Sequence, residues 1–302
     1  ASALTALAGK TTVDVNASAV TSVTGSVSEL TALYAANDIT GLGNEAISFA
    51  SALSVSDANT VSALTTGAVT AALSEGDMST LAGLTETGNA YTVTVTDTSG
   101  VSASALTALA GKTTVDVNAS AVTSVNGSVS ELTALYAATD ITGLGNEAVS
   151  LSETISVANA NTISALTTGA VTATLSTGAI GSFESLAGTG NAYNISFTDT
   201  SNVSASALTA LAEKTTNNID AAAVTSVIGT SSQISELLNQ GNFNLSSLST
   251  LNVSNDATSD ASNLVSLLAS EIAIDASSLT SISGSVSDLS TLYAANDITG
   301  LG

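Results

Sequence analysis

Side-chain oxygens recur at one spacing in this sequence: Asp14-Val15-Asn16 returns as Asp116-Val117-Asn118, as Asn218-Ile219-Asp220, and in shortened form as Ile274-Asp275. Carboxylate and amide oxygens this close together suit a hard cation, and calcium is the ion that Asp14, Asn16, Asp116, Asn118 and Asp220 would hold. The same residues suit an Asx turn at a strand end, in which the side-chain oxygen accepts from a backbone N–H two residues on. The third copy loses the charge at its first position and keeps the Asx chemistry, which favours the turn. The glycine- and aspartate-rich nonapeptide of calcium β-rolls does not occur. No cofactor is expected, and calcium is the single candidate.

Other candidates give way to structural readings. Thr92, Thr94 and Thr96 line one face of a strand and could order water, as ice-binding solenoids do, but one period later the positions read Asn194, Ser196 and Thr198. A solvated strand face explains them. Lys10, Lys112 and Lys214 are the only basic residues, and each follows a helical patch, where a cation is stabilised by the helix macrodipole. Gly41-Leu42-Gly43-Asn44-Glu45 lacks the P-loop lysine and reads as a turn. His and Cys are absent, so neither a Ser–His pair nor the usual zinc ligands are available. No two carboxylates stand out as an acid–base pair. No catalytic residue is assigned, and an enzyme is not expected.

These residues sit in a sequence that repeats itself. The segment beginning Ala1-Ser2-Ala3-Leu4 returns at Ala103 and Ala205, and 103 − 1 and 205 − 103 both give 102. Leucine-rich patches near Leu7, Leu33, Leu64 and Leu84 divide that period into four, an elementary coil of about 25 residues. Continued to Leu292, the patches predict roughly 12 coils. Within a coil, apolar residues at three- and four-residue spacing, as in Val27–Ala36, predict a helix. Period-two segments such as Thr12–Asn16 and Tyr91–Thr96 predict strands. Ser26 with Glu29, Ser128 with Glu131, Thr230 with Gln233 and Ser285 with Asp288 have capping-box spacing and place helix starts. Residues 271–302 align with 12–43 at an offset of 259, which is not a multiple of 102. The coil is therefore the module.

Composition sets the class. With 25 acidic and 3 basic residues the net charge is −22, so no phosphate backbone could be neutralised and nucleic acid is excluded as a partner. Apolar residues make up 44% and aromatics 3%, which predicts thin aliphatic layers. No run approaches the roughly 20 apolar residues of a membrane span. The fold expected is an α/β solenoid, a leucine-rich-repeat-like stack of helix–strand coils with a parallel β-sheet, and the alternative is an all-β parallel β-helix. One continuous segment over 1–302 is expected, in units 1–102, 103–204 and a diverged, reshuffled 205–302. The chain starts in mid-repeat and stops at Ile298-Thr299-Gly300-Leu301-Gly302, where the earlier copies run on into Asn-Glu-Ala. It reads as a window on a longer array.

Phrases such as Leu33-Tyr34-Ala35-Ala36-Asn37-Asp38-Ile39-Thr40-Gly41-Leu42-Gly43-Asn44-Glu45-Ala46 resemble the repeat arrays of very large cell-surface and exported proteins of bacteria, especially marine unicellular cyanobacteria. One member of that group is associated with swimming. The resemblance implies extracellular exposure and a structural or adhesive role, and it brings no catalytic residues with it. The function expected is a segment of a surface fibre, coat or spacer, with a calcium-dependent adhesin as the alternative. The expected partners are neighbouring coils of the same chain, other copies side by side, or cell-surface polysaccharide.

Overall fold

A computed structural model describes residues 1–254 and 259–301, so Gly302 of the closing phrase lies outside the described residues. Among the described residues there are eleven α-helices of four to nine residues, one 3-10 segment at Ile180–Phe183, and short strands between them. Each of the leucine patches from Leu7 to Leu292 lies in a helical segment or within three residues after one. The chain is α/β, which sets the all-β alternative aside.

Local chemistry explains where the helices begin. Ser26, Ser128 and Thr230 each accept the N–H three residues on, while Glu29, Glu131 and Gln233 reach back to the cap's own backbone N–H. Two orphan donors are thus satisfied at each start. At Ser285 the shorter Asp288 instead accepts from the cap hydroxyl, 2.6 Å away. The remaining helices use caps that the spacing rule did not single out: Ser54, Asp77, Ser102, Ser156, Ser204 and Asp260. Of the described α-helices, Ser2–Ala8 alone has no side-chain cap bond. Each helix turns between one and four small aliphatic residues inward, from Leu81 alone in Met78–Leu81 to Ala103, Leu106, Leu109 and Ala110 in Ala103–Ala110. None is long and apolar enough to cross a membrane.

The strands pair in parallel, and the register measures the module. Val15 lies beside Ile39, 39 − 15 or 24 residues on, and Ile47 lies beside Val69, 22 residues on. Thr70 lies beside Ala90, 20 residues on, across a module whose helix, Met78–Leu81, is a single turn. None of the sheets among the described residues closes into a barrel.

Two compact units are present. Unit 1 holds residues 1–150 and 166–169, and its longest ladder runs Ser22–Val23, Ala46–Ser48, Val69–Ala72, Ala90–Thr92. Unit 2 holds residues 151–165 and 170–302, with a five-stranded ladder of Val203–Ser204, Ser226–Gly229, Thr250–Val253, Ala273–Asp275 and Ile298–Thr299.

Two predicted strands come out shorter. Of Thr12–Asn16 only Val15–Asn16 pairs, because Thr11 Oγ1 accepts the Val13 N–H at 3.0 Å and turns the chain, leaving Val13 exposed. Of Tyr91–Thr96, Ala90–Thr92 pairs with the module before, and Thr94 then bridges to Asn118 in the module after. The predicted alternation holds there, with Tyr91, Val93 and Val95 buried and the threonines exposed.

Capping supplies a direct test. Thr230→Ala should destabilise the chain by about 1 kcal/mol, whereas Thr230→Ser should stay within a few tenths. A urea midpoint unchanged in both variants would remove the cap from the account.

Candidate functional site

The proposed cation ligands lie at or beside strand ends. Asn16, Asn118, Asp220 and Asp275 each accept, through Oδ1, the N–H two residues on, at 3.0, 3.0, 3.1 and 2.9 Å. This is the Asx turn at all four strand ends, with one side-chain oxygen already committed. At Asp275 the hydroxyl and backbone N–H of Ser277 hold the carboxyl below its ordinary value. Asp14 and Asp116 are exposed beside these turns. Among the described residues no three His, Cys, Asp or Glu side chains converge as a metal site.

A different set of residues is drawn together inside unit 1. Glu45 has no exposed surface, although no lysine lies near it in the sequence. The Tyr34 hydroxyl, at the end of helix Val27–Tyr34, donates to Glu45 Oε2 at 2.7 Å, and the Gly43 N–H donates to the same oxygen at 2.8 Å. Burial pushes the Glu45 carboxyl up, but the bonds from Gly43 and Tyr34 outweigh it and hold the group below the ordinary carboxylate value. Burial, with the carboxylate alongside, pushes the Tyr34 phenol up, so it remains a donor. The next module closes the arrangement: Thr65 Oγ1 donates to the Glu45 backbone carbonyl at 2.7 Å. Gly67 passes so close to that carbonyl that a Cβ would sit 2.3 Å from its oxygen. Only glycine leaves room.

The constellation is duplicated one period on. Tyr136 donates to Glu147 at 3.0 Å, Gly145 donates to both of its oxygens, and Thr167 donates to its carbonyl at 2.7 Å. The turn expected at Gly41–Glu45 is present, with Gly41 at φ +83° and Gly43 at φ +132°. Its acidic residue is the buried anchor of a module junction, which the sequence reading missed. Its signal was a Tyr and a Glu eleven residues apart, recurring together at 102.

Buried amides form a second set of clamps. Asn89 and Asn191 are nearly inaccessible, and each accepts the N–H of a strand residue 20 positions earlier, Val69 and Val171, at 2.8 Å. Asn59 donates to the Gly83 carbonyl and accepts the Thr85 N–H, while Asn161 treats Ser185 and Ala187 in the same way. Lys10, Lys112 and Lys214 lie two residues beyond their helix ends. Lys112 Nζ donates to the Thr85 carbonyl of the preceding module at 3.0 Å, so at that site the cation is also a cross-module tie.

Chemically, the arrangement anchors acceptors. The Glu45 carboxylate faces a phenol and a peptide N–H, and the hydroxyls around it donate to fixed oxygens. No protein-family model matches the chain, and no curated protein or solved structure matches it either.

Tyr34→Phe leaves the buried carboxylate with one donor fewer, which should cost about 1.5–3 kcal/mol at neutral pH. Because the folded value of Glu45 is depressed, its contribution is full above the unfolded carboxyl pKa of about 4.3 and is lost as pH falls through the folded value. The gap between parent and variant in urea midpoint should therefore narrow below about pH 4. A gap that is constant from neutral to strongly acid pH would detach the tyrosine from the charged glutamate.

Proposed function

We propose that this chain is a structural segment of a repeat array, an α/β solenoid resembling leucine-rich repeats, that serves as a fibre, coat or spacer on the outside of a cell. The observation that carries the reading is the duplicated clamp: Tyr34, Gly43, Glu45, Thr65 and Gly67 return as Tyr136, Gly145, Glu147, Thr167 and Gly169 with the same bonds. Buried polar chemistry is spent on joining one module to the next, as expected where stability is a sum of nearest-neighbour terms. The sparsely charged Ser/Thr surface and the absence of His and Cys fit a spacer better than a reaction centre. The resemblance of Leu33–Ala46 to the arrays of giant bacterial surface proteins supplies the extracellular location. Its partners are the neighbouring modules, with other copies or surface polysaccharide alongside.

Location is tested by brief elastase shaving of intact source cells, since three lysines offer trypsin little. Repeat peptides should be released while cytosolic markers stay inside, and peptides that appear only after lysis would replace the coat with an intracellular scaffold. The proposed array needs no metal, because the Asx oxygens already serve their own turns. Its Tm should be the same with and without EDTA, and a clear fall with EDTA, reversed by calcium, would install the adhesin reading.

A further inference from the structure

The chain holds seven Asn-X-Ser stretches in which X is not Pro, the acceptor sequence for attachment of a glycan to asparagine. The finished fold can carry a sugar there if three conditions are met. The amide nitrogen must be free of ties to the rest of the chain, the hydroxyl two residues on must be reachable, and both must lie at the surface. Five of the seven stretches fail. Asn126 Nδ2 donates to the Gly100 carbonyl at 2.8 Å, Asn194 Nδ2 to Thr174 Oγ1 at 3.5 Å, and Asn244 Nδ2 to Asp220 Oδ1 at 3.4 Å. Asn252 Nδ2 donates to Asn202 Oδ1. At Asn202 the hydroxyl two residues on is that of Ser204, which caps helix Ala205–Ala212.

Asn118 meets all three conditions. Its Oδ1 accepts the Ser120 N–H, and its Nδ2 meets no acceptor among the described residues. Asp116 and Ser120 are exposed, and Asn118 is half-buried between Thr94 of the module before and Thr142 of the module after. Gly143 passes so close to the Ser120 backbone that a Cβ would sit 2.7 Å from it, and with glycine there no side chain covers the serine from that position. The turn itself has no use for the nitrogen. Asp220 and Asp275 make the same turn through a carboxylate oxygen, with no amide at all. Asp116, two residues ahead of Asn118, is a charged handle for an enzyme, and in the five other stretches that place holds Ser124, Ala192, Thr200, Asn242 or Thr250. Asn16 repeats the whole stretch, with Asp14 ahead of it and the Ser18 N–H on its Oδ1.

We propose that Asn118, with its counterpart Asn16, is a site of N-linked glycan attachment. The proposal rests on the extracellular reading above, since glycan transfer of this kind takes place on the export side of a membrane. The donor is an oligosaccharide carried on a polyprenyl pyrophosphate, and an oligosaccharyltransferase moves it. Asn118 Nδ2 gives up one proton to a carboxylate of the transferase and forms a C–N bond to the anomeric carbon. The C–O bond from that carbon to the pyrophosphate breaks, and the pyrophosphate leaves with the electron pair. Oδ1 is untouched, so the bond to the Ser120 N–H is compatible with the modified side chain.

Peptides released by elastase from intact source cells test this, read by mass spectrometry with electron-transfer fragmentation, which keeps a sugar on its own residue. Residues 11–18 and 113–120 are identical in sequence and are read together. Their asparagine should carry a glycan mass, and the stretches at Asn126, Asn194, Asn202, Asn244 and Asn252 should be bare. Bare Asn118 peptides released from intact cells overturn the site and leave the outside location standing. So does a glycan found on serine or threonine in place of Asn118. A glycan spread equally over the five tied stretches overturns the selection by the fold. Peptides that appear only after lysis fail the location, and their asparagines still decide the site: a glycan on Asn118 keeps it, and a bare Asn118 overturns it as well.

Discussion

A two-residue strand has almost no stability of its own, and most strands here are two to four residues long. Their backbone donors and acceptors must still be paired once buried. The parallel neighbour one module away does this, as where the Val15 and Ala17 N–H groups donate to the Asp38 and Thr40 carbonyls at 2.8 and 2.7 Å. Everything else follows from that dependence. The helices are short because they need only cover one module's width of sheet. The core is mainly aliphatic, built from Ala, Val, Leu and Ile. Four aromatics are buried, Tyr91, Phe183, Tyr193 and Phe197, and the two tyrosines lie on strands paired at the short 20-residue register.

Parallel pairing by itself specifies register weakly, since a slipped strand recovers most of its hydrogen bonds. The buried polar side chains remove that freedom. Glu45 can meet Tyr34, Gly43 and Thr65 together in one register only. A buried carboxylate is costly unless several donors reach it, so a slip of one residue would strand the charge. The polar clamp contributes less to net stability than to choosing which neighbour is correct. In a chain whose first 46 residues return almost unchanged 102 residues later this choice matters, because the apolar faces alone would accept any partner of the same type.

Much of this was legible in the residues. Ser26, Ser128 and Thr230 announced helix starts because a capping box is local, needing only residues three apart. The Asx turns at Asn16 and Asp220 were legible for the same reason. Glu45 was not, because its partners lie 11 residues before it and 20 after it, and the meaning of a carboxylate depends on who surrounds it. Asn89 was missed likewise, since it replaces a strand acceptor 20 residues away. Lys112 was read through the dipole of its own helix, whereas its ammonium also ties to Thr85 in the module before. Sequence patterns disclose what a residue does within its own turn of chain, and they are silent on contacts made one module away.

The third copy shows that the clamp behaves as one unit. One further period places Leu238 where Tyr34 and Tyr136 stand, and Ser249 where Glu45 and Glu147 stand. Loss of the tyrosine alone would have left a buried carboxylate short of a donor, and loss of the glutamate alone a half-buried phenol without its acceptor. Both are gone together. Leu238 stands at the old phenol position, and Ser249 donates its hydroxyl to the Thr225 carbonyl at 3.0 Å. The Ser226–Thr250 register is kept at 24 residues, equal to that of Ser22–Ala46. Register therefore survives removal of the clamp when the whole pair is removed: Val227 and Leu251 remain buried side by side, so the alternation of buried and exposed residues still sets it. Residues 271–302, which align with 12–43 at an offset of 259, keep the same local turn without the clamp's help, Asp275 Oδ1 accepting the Ser277 N–H as Asn16 Oδ1 accepts that of Ser18.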